Sequence, residues 1–158
     1  MTRFDDAFDL VVMRFEGGSR IMDDPNDPGG LTKYGISKRA HPEVDIANLD
    51  AGAAKYIYRT EYWDKCRCDE IRQPLDLYLF DAAVNQGPHT AVSLLQSALM
   101  VNVDGVVGPV TIGAAKSATD WHIARFLAYR AERYRRLPHF ERYANGWLTR
   151  LFMLAMAG

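Results

Sequence analysis

The sequence predicts a mainly helical fold with one small β-hairpin near the N-terminus. Apolar side chains recur at three- and four-residue steps along most of the chain, and caps and breakers separate these segments. No strand pattern is convincing outside residues 20–36. The chain has 158 residues, of which 48% are hydrophobic and 25% charged. That composition suits one soluble domain with a single core.

The first helix is predicted over residues 2–15. Thr2 suits its N-cap, and Gly17 and Gly18 supply the left-handed backbone that closes a helix. Glu16 therefore lies in the last turn, beside unpaired carbonyl groups that disfavour an anion. Such a position suits a carboxyl group that acts as an acid by giving up a proton. The alternative is a solvated Glu at a frayed helix end.

The next segment, residues 23–37, is rich in Gly, Pro and Asp, which is typical of tight turns. Its turns can return Thr32 and the carboxylates of Asp24 and Asp27 to the neighbourhood of Glu16. A single acid beside such a polar hairpin suits cleavage of a sugar–sugar bond. In that reaction, Asp24 or Asp27 would assist by stabilising an oxocarbenium-like centre or by activating water. Thr32 can hold that water. The alternative for each Asp is a turn residue, and a calcium loop is excluded because prolines fall on required ligand positions.

Helices are then predicted over 51–63, 76–86, 89–100, 109–116, 120–137 and from about 139 onward. Asp50 and Asp120 are predicted N-caps, and Asp76 a helix start. The last helix is predicted to bury an apolar face that includes Trp147, Leu151 and Phe152. Its apolar stretch over 147–157 is too short to span a bilayer and is interpreted as a core helix. The alternative is the stub of a C-terminal membrane anchor that is incomplete in this chain.

Five polar or aromatic residues are candidate sugar contacts. Asn85 and Gln86, at the end of a predicted helix, carry amides that can bind the N-acetyl and hydroxyl groups of sugars. The alternative for Asn85 is helix capping. Tyr34, Tyr62 and Trp63 can stack on sugar faces or serve equally well as core aromatics.

No metal site, cofactor or Ser or Cys nucleophile is predicted. The four histidines lack ligand spacing, and Cys66 and Cys68 lie too close for an ordinary disulfide, which predicts free thiols in a reducing compartment. The net charge of −1 gives no indication of nucleic-acid binding. The chain from residue 119 onward contains seven arginines but only three carboxylates. This basic third suits an anionic polymer or membrane surface, or else the solvated outer faces of helices.

Several motifs occur in a fixed order along nearly the whole chain. They are EGG at 16–18, DPNDPGGLT at 24–32, YGI at 34–36, IYRTEYW at 57–63, FDAAVNQGP at 80–88, LQ at 95–96, VDGVVGP at 103–109 and Thr111. Together they resemble the signature of the glycoside hydrolase family 108 muramidases, which include phage endolysins and bacterial proteins once called lysozyme secretion activators. The stretch from 95 to 111 is similar to a peptidoglycan-binding motif of that family.

The resemblance implies a lysozyme-like α+β fold that forms a single domain over residues 1–158. Within it, residues 1–88 would form a catalytic half and residues 89–158 a helical half with the peptidoglycan-binding-like motif. It also implies hydrolysis of the β-1,4 bond between N-acetylmuramic acid and N-acetylglucosamine, with Glu16 as the catalytic acid. Ser19 departs from the family pattern, in which an aromatic residue commonly follows the two glycines.

The predicted function is an endolysin that lyses its bacterial host. It would be a monomer, made in the host cytoplasm because no N-terminal signal peptide is visible, and its partners would be periplasmic peptidoglycan strands. One alternative is a non-catalytic peptidoglycan-binding or secretion-helper protein, which would not need Glu16. Another is an amidase or endopeptidase, which usually needs zinc ligands or a Cys/His pair.

Overall fold

The computed structural model describes residues 2–23 and 29–158. The chain divides into two compact units, residues 1–61 and 62–158. The predicted fold class, mainly helical with one small β-hairpin near the N-terminus, is confirmed. The predicted single domain, with a catalytic half in 1–88 and a helical half in 89–158, stays a prediction.

The first unit begins with helix α1, Arg3–Phe8, which continues as a π-helical segment, Asp9–Phe15. Thr2 is the N-cap, as predicted, and forms a reciprocal capping box with Asp5. The predicted helix is confirmed in extent, but its second half is wider than an α-helix, since the Glu16 amide donates to the Val11 carbonyl at 3.1 Å, five residues back. Such π-helical turns are frequent at functional sites.

A two-stranded antiparallel hairpin follows, with β1 at Thr32–Lys33 and β2 at Ile36–Ser37. Its turn residues, Tyr34 and Gly35, have φ angles of 54° and 73°. Positive φ at both positions is the requirement of a type I′ turn, whose twist matches that of the flanking strands. This hairpin lies where the sequence predicts one.

Helix α2, Ala51–Tyr58, continues as a π-helical segment, Arg59–Trp63. Asp50 caps α2, as predicted, by accepting a hydrogen bond from the Ala53 amide at 2.8 Å. An ion pair of 2.8 Å between Lys55 and Asp5 joins α2 to α1. Beside it, the rings of Phe8 and Tyr58 meet edge to face in the buried core of this unit.

The second unit contains a short 3-10 turn, Cys68–Glu70, and five α-helices among the described residues. These are α3 (Leu75–Gln86), α4 (Pro88–Leu99), α5 (Pro109–Lys116), α6 (Asp120–Arg135) and α7 (Phe140–Ala155). Residues 75–83 of α3 are all buried, so α3 is the central helix of this unit. Helix α4 packs on α3, α6 on α4, and α7 on α6.

Two predicted helix starts are wrong by one residue. Asp76 lies within the first turn of α3, where its buried carboxylate accepts from the Leu77 amide at 2.8 Å. Thr119, not Asp120, is the N-cap of α6, and it forms a capping box with His122. Either residue of a Thr-Asp pair can cap a helix, and the extended backbone of Thr119 decides between them.

The predicted buried face of the last helix is partly wrong. Leu151 and Leu154 are buried, whereas Phe152 is 69% exposed and Trp147 is partly buried. Because residues 147–157 are apolar on nearly every side, their periodicity does not select one face. No helix of the described residues is long and apolar enough to cross a membrane.

The two cysteines are free and buried, which confirms the predicted thiols. Burial raises the pKa of the Cys68 thiol well above its usual range, and the neighbouring Cys66 adds to the effect. A thiol held neutral in this way is a poor nucleophile.

Candidate active site

Glu16 stands at the end of the π-helical segment, with its side chain partly buried. Gly17 and Gly18 follow with φ angles of 84° and 56°, and the Gly18 amide donates to the Val12 carbonyl at 3.1 Å. The predicted closure of the helix by these two glycines is confirmed. Glu16 is therefore fixed at the junction of a rigid helix and a tight turn.

The turn of the hairpin packs directly against the stem of Glu16. The Tyr34 amide donates to the Gly18 carbonyl at 2.8 Å, which fastens the turn to the helix end. A Cβ atom placed on Gly35 would lie 2.9 Å from Glu16 Cβ and 2.7 Å from the Tyr58 hydroxyl oxygen. Only glycine allows this approach, because both distances are shorter than a normal contact. The hairpin turn thus lies against Glu16. The predicted return of Thr32, Asp24 and Asp27 to the neighbourhood of Glu16 stays a prediction.

Thr32 is buried in the same hairpin. Its hydroxyl donates to the Gly30 carbonyl at 2.9 Å, and its backbone pairs with Met22. The hydroxyl oxygen keeps lone pairs with which to accept a hydrogen bond, and the role of Thr32 in holding a water stays a prediction. Asp24 and Asp27 lie outside the described residues, so their roles also stay predictions.

Two of the three aromatic candidates are core residues. Tyr34 is buried, and its carbonyl accepts a hydrogen bond of 2.8 Å from the Tyr58 hydroxyl. Trp63 is buried too, with its indole N–H donated to Asp69 at 2.9 Å. Burial of both rings favours the core alternative, since stacking on a sugar needs an open ring face. Tyr62 is partly exposed.

Gly35 and Tyr58 shape the surroundings of Glu16, and sequence reasoning missed both in that role. The signal for Gly35 is the Tyr-Gly pair between two short extended segments, which is typical of a turn that needs positive φ. Tyr58 gives no such signal, because its position on the apolar stripe of α2 predicts only burial. Its hydroxyl partner comes from a residue 24 positions away.

Asn85 and Gln86 line a cavity of about 260 Å³ in the second unit. The Tyr134 hydroxyl donates to Asn85 Oδ1, and Arg130 Nε donates to Gln86 Oε1 at 3.3 Å. The capping alternative for Asn85 is wrong, since Gly87 is the C-cap of α3. Both amides are instead held from α6 by their oxygen ends.

Two arginines of the basic C-terminal third are paired inside the second unit, where Arg130 is buried and Arg150 is partly buried. Arg130 Nη2 lies 2.6 Å from Asp81 Oδ2, and Arg150 Nη2 lies 2.8 Å from Oδ1 of the same carboxylate. This pairing joins α3 to α6 and α7. Both guanidinium groups therefore pair with Asp81 inside the fold. These two arginines fit neither the solvated-face interpretation nor an anion-binding surface.

Polar residues of the 95–111 segment form hydrogen bonds that hold the loop after α4 in place. Buried Gln96 donates through Nε2 to Asp104 Oδ1 at 2.7 Å, to the Val106 carbonyl and to Thr111 Oγ1. Its Oε1 accepts from the amides of Asp104 and Gly105. The hydrogen bond from Gln96, with that from the Val106 amide, lowers the pKa of Asp104. At these positions the peptidoglycan-binding-like motif determines a loop structure.

Residues 2–23 and 29–158 hold no group of three or more His, Cys, Asp and Glu side chains that could bind a metal ion.

Comparison with known proteins adds a family and a structural relative. Residues 10–87, which include Glu16, the hairpin and α3, match the model of a family described as Glycosyl hydrolase 108. The solved structure of Brucella abortus SagA matches with a TM-score of 0.83 and 29% identity, over 96% of this chain and 90% of that one. No curated protein matches the chain.

Proposed function

Since this chain belongs to the glycosyl hydrolase 108 family through residues 10–87, we propose that it is a peptidoglycan N-acetylmuramidase. Family membership makes it a glycoside hydrolase. The proposed reaction is hydrolysis of the β-1,4 bond between N-acetylmuramic acid and N-acetylglucosamine. The observation that carries the proposal is the fixed position of Glu16, at a helix end and packed against the hairpin turn through Gly35.

In the proposed mechanism, Glu16 protonates the glycosidic oxygen as the bond to the anomeric carbon breaks. Positive charge then develops on the sugar ring, as in other glycosidases. A carboxylate of Asp24 or Asp27 stabilises that charge or activates water, or a water held by Thr32 attacks directly. Activities of Asp24→Asn, Asp27→Asn and Thr32→Val would distinguish these three candidates.

Replacement of Glu16 by Gln tests the proposal. A general acid contributes about 10²–10⁴-fold to the rate, so the release of new reducing ends from purified peptidoglycan should fall at least about 100-fold. Glu141→Gln is the matched control, because Glu141 is an exposed carboxylate on α7. Equal rates for the Glu16 variant and the wild-type protein would overturn the assignment.

Mass spectrometry of the digest identifies the bond. A muramidase leaves a reducing N-acetylmuramic acid, a lytic transglycosylase leaves an anhydro sugar, and an amidase or endopeptidase releases peptide without cutting the glycan. Retention of the protein on cell walls without any cleavage would favour the non-catalytic binding alternative.

We further propose that the protein acts as an endolysin, as a monomer made in a bacterial host's cytoplasm that reaches periplasmic peptidoglycan. The ordered motifs shared with that class support this role. Expressed inside a Gram-negative host, the protein should lyse the cells rapidly only when the inner membrane is permeabilised. Lysis at the same rate in untreated cells would contradict the proposal that the protein stays in the cytoplasm until the inner membrane is opened.

A further inference from the structure

The cavity beside Asn85 and Gln86 is formed entirely by α3, α6, α7 and the turn that joins the last two. Its lining consists of Asn85, Gln86, Arg133, Tyr134, Leu137 and Trp147. Its volume of about 260 Å³ is large enough for a small acyl group or amino-acid residue. Its polar groups determine which chemistry fits.

The side-chain oxygens of both amides accept hydrogen bonds from α6. Arg130 Nε can only donate, so the oxygen of Gln86 must face it. Gln86 Nε2 is then the opposite end, and it is buried without a hydrogen-bond partner among the described residues. An unpaired buried donor is costly, so a ligand acceptor at this position would be stabilised.

Asn85 is oriented in the same way. Arg130 Nη2 donates to the Tyr134 hydroxyl at 3.4 Å, so that hydroxyl gives its own hydrogen to Asn85 Oδ1. Burial raises the pKa of Tyr134, which keeps the phenol protonated and therefore a donor. The oxygen ends of both amides are thus engaged by α6, and these bonds leave the N–H groups at the other ends of the amides uncommitted.

A cation and an aromatic wall complete the cavity. Arg133 is exposed and has no ion-pair partner within the described chain, whereas Arg135 and Arg136 on the same helix both pair with Glu132. Trp147 stacks on Tyr134 with ring centroids 5.0 Å apart and an interplanar angle of 19°. The lining therefore combines N–H donors, one unpaired positive charge and a flat apolar surface.

We propose that this cavity binds a carboxylate of the peptide stem attached to the glycan strand. The identity of the ligand rests on the proposed function, and the unpaired N–H group of Gln86 favours a ligand that carries a hydrogen-bond acceptor. The charge of Arg133 selects a carboxylate over the neutral acetamido group of a sugar. The Trp147 and Leu137 side chains cover the short apolar side chain of a stem residue such as alanine.

Two substitutions distinguish a role of the cavity in ligand binding from a purely structural role of its residues. Gln86→Glu keeps an oxygen toward Arg130 but replaces the Nε2 donor with a second oxygen. Arg133→Gln removes the unpaired charge from an exposed position. Arg135→Gln is the control, since Arg135 is exposed on the same helix but does not line the cavity. Each is made in the Glu16→Gln protein to prevent turnover of the probe.

The probes are a disaccharide-tetrapeptide, the same compound with its carboxylates amidated, and chitotriose, which carries only acetamido groups. Binding is followed through the indole N–H resonance of Trp147. The disaccharide-tetrapeptide should shift this resonance, and Gln86→Glu and Arg133→Gln should each weaken its binding about tenfold or more, with Arg135→Gln unchanged. Amidation of the probe should have an effect of the same size.

Equal affinity for the amidated probe, or chitotriose binding at Trp147 as tightly as the disaccharide-tetrapeptide, would overturn the carboxylate assignment. Unchanged binding by the folded Arg133→Gln protein would do the same. The proposed function fails separately, when the wild-type protein releases no reducing ends from purified peptidoglycan that keeps its peptide stems. That result leaves the binding measurement on the peptide-bearing probe intact.

Discussion

Glu16 is positioned by its neighbours more than by its own helix. The π-helical segment ends at Phe15, and two glycines with positive φ turn the chain away at once. The Gly35 backbone then lies against the Glu16 stem, while Tyr58 holds the adjoining carbonyl of Tyr34. A single missing side chain, at Gly35, therefore permits the approach of turn to acid.

Replacement of Gly35 by Ala should damage both stability and activity. The left-handed backbone at φ 73° costs an alanine about 1–2 kcal/mol, and the new Cβ would also collide with Glu16 and Tyr58. We expect the resulting shift of Glu16 to lower the hydrolysis rate by about tenfold or more, because small misplacements of reacting groups cost that much. Denaturant unfolding and reducing-end release are the measurements.

Gly30→Ala is the matched control for that change. Gly30 also has positive φ, 66°, but an added Cβ there meets no atom within 4 Å among the described residues. It should therefore show the backbone cost without the collision. Equal losses of stability and activity in the two variants would show that the Gly35–Glu16 contact has no special role.

At the scale of elements, the sequence predicts the extents of helices well and the buried faces of those helices less well. The helical stretch over 51–63, the extent of α5 and the cap at Asp50 follow from local signals, namely apolar periodicity, Pro and a capping carboxylate. The π-helical widening before Glu16 and the exposed Phe152 do not, because both depend on tertiary packing. The donor orientation of Gln86 is equally hidden, since it is imposed by Arg130, 44 residues away.

The loop after α4 should respond to acid through Asp104. Its pKa is lowered from an ordinary value of 3.8 in the folded protein, first by Gln96 and then by the Val106 amide. A lowered folded-state pKa means that the contribution of Asp104 to stability is complete above pH 3.8 and is lost as the pH falls through the lowered pKa. The Val106 amide resonance should therefore titrate with a midpoint below 3.8.

The control for this titration is Asp104→Asn, which keeps an oxygen acceptor for Gln96 and Val106 but has no proton to gain. The Val106 resonance of this variant should not change over the same pH range. A midpoint at or above 3.8 in the unsubstituted protein would contradict the hydrogen-bond assignment, because it would mean that the neighbouring donors do not favour the charged carboxylate.

At the scale of the whole molecule, the number of basic and acidic residues in a segment does not show which charges remain available at the surface. The sequence shows a basic C-terminal third, yet Arg130 and Arg150 both pair with Asp81, which lies 49 and 69 residues earlier in the chain. Periodicity places Asp81 on a helix but does not say that it is fully buried or shared. Such long-range pairing is invisible to local patterns, and it decides which arginines remain for a ligand.

Asp81 and Glu132 provide a matched pair for testing that conclusion, since each is one carboxylate shared by two arginines. Asp81→Asn leaves the two guanidinium groups without their buried counter-charge, and should lower the free energy of unfolding by about 3–5 kcal/mol. Glu132→Gln removes a partly exposed partner of two exposed arginines. Its urea midpoint should barely change, because water already solvates those charges. Similar midpoints for the two variants would mean that the Asp81 pairs do not stabilise the packing of α3 with α6 and α7.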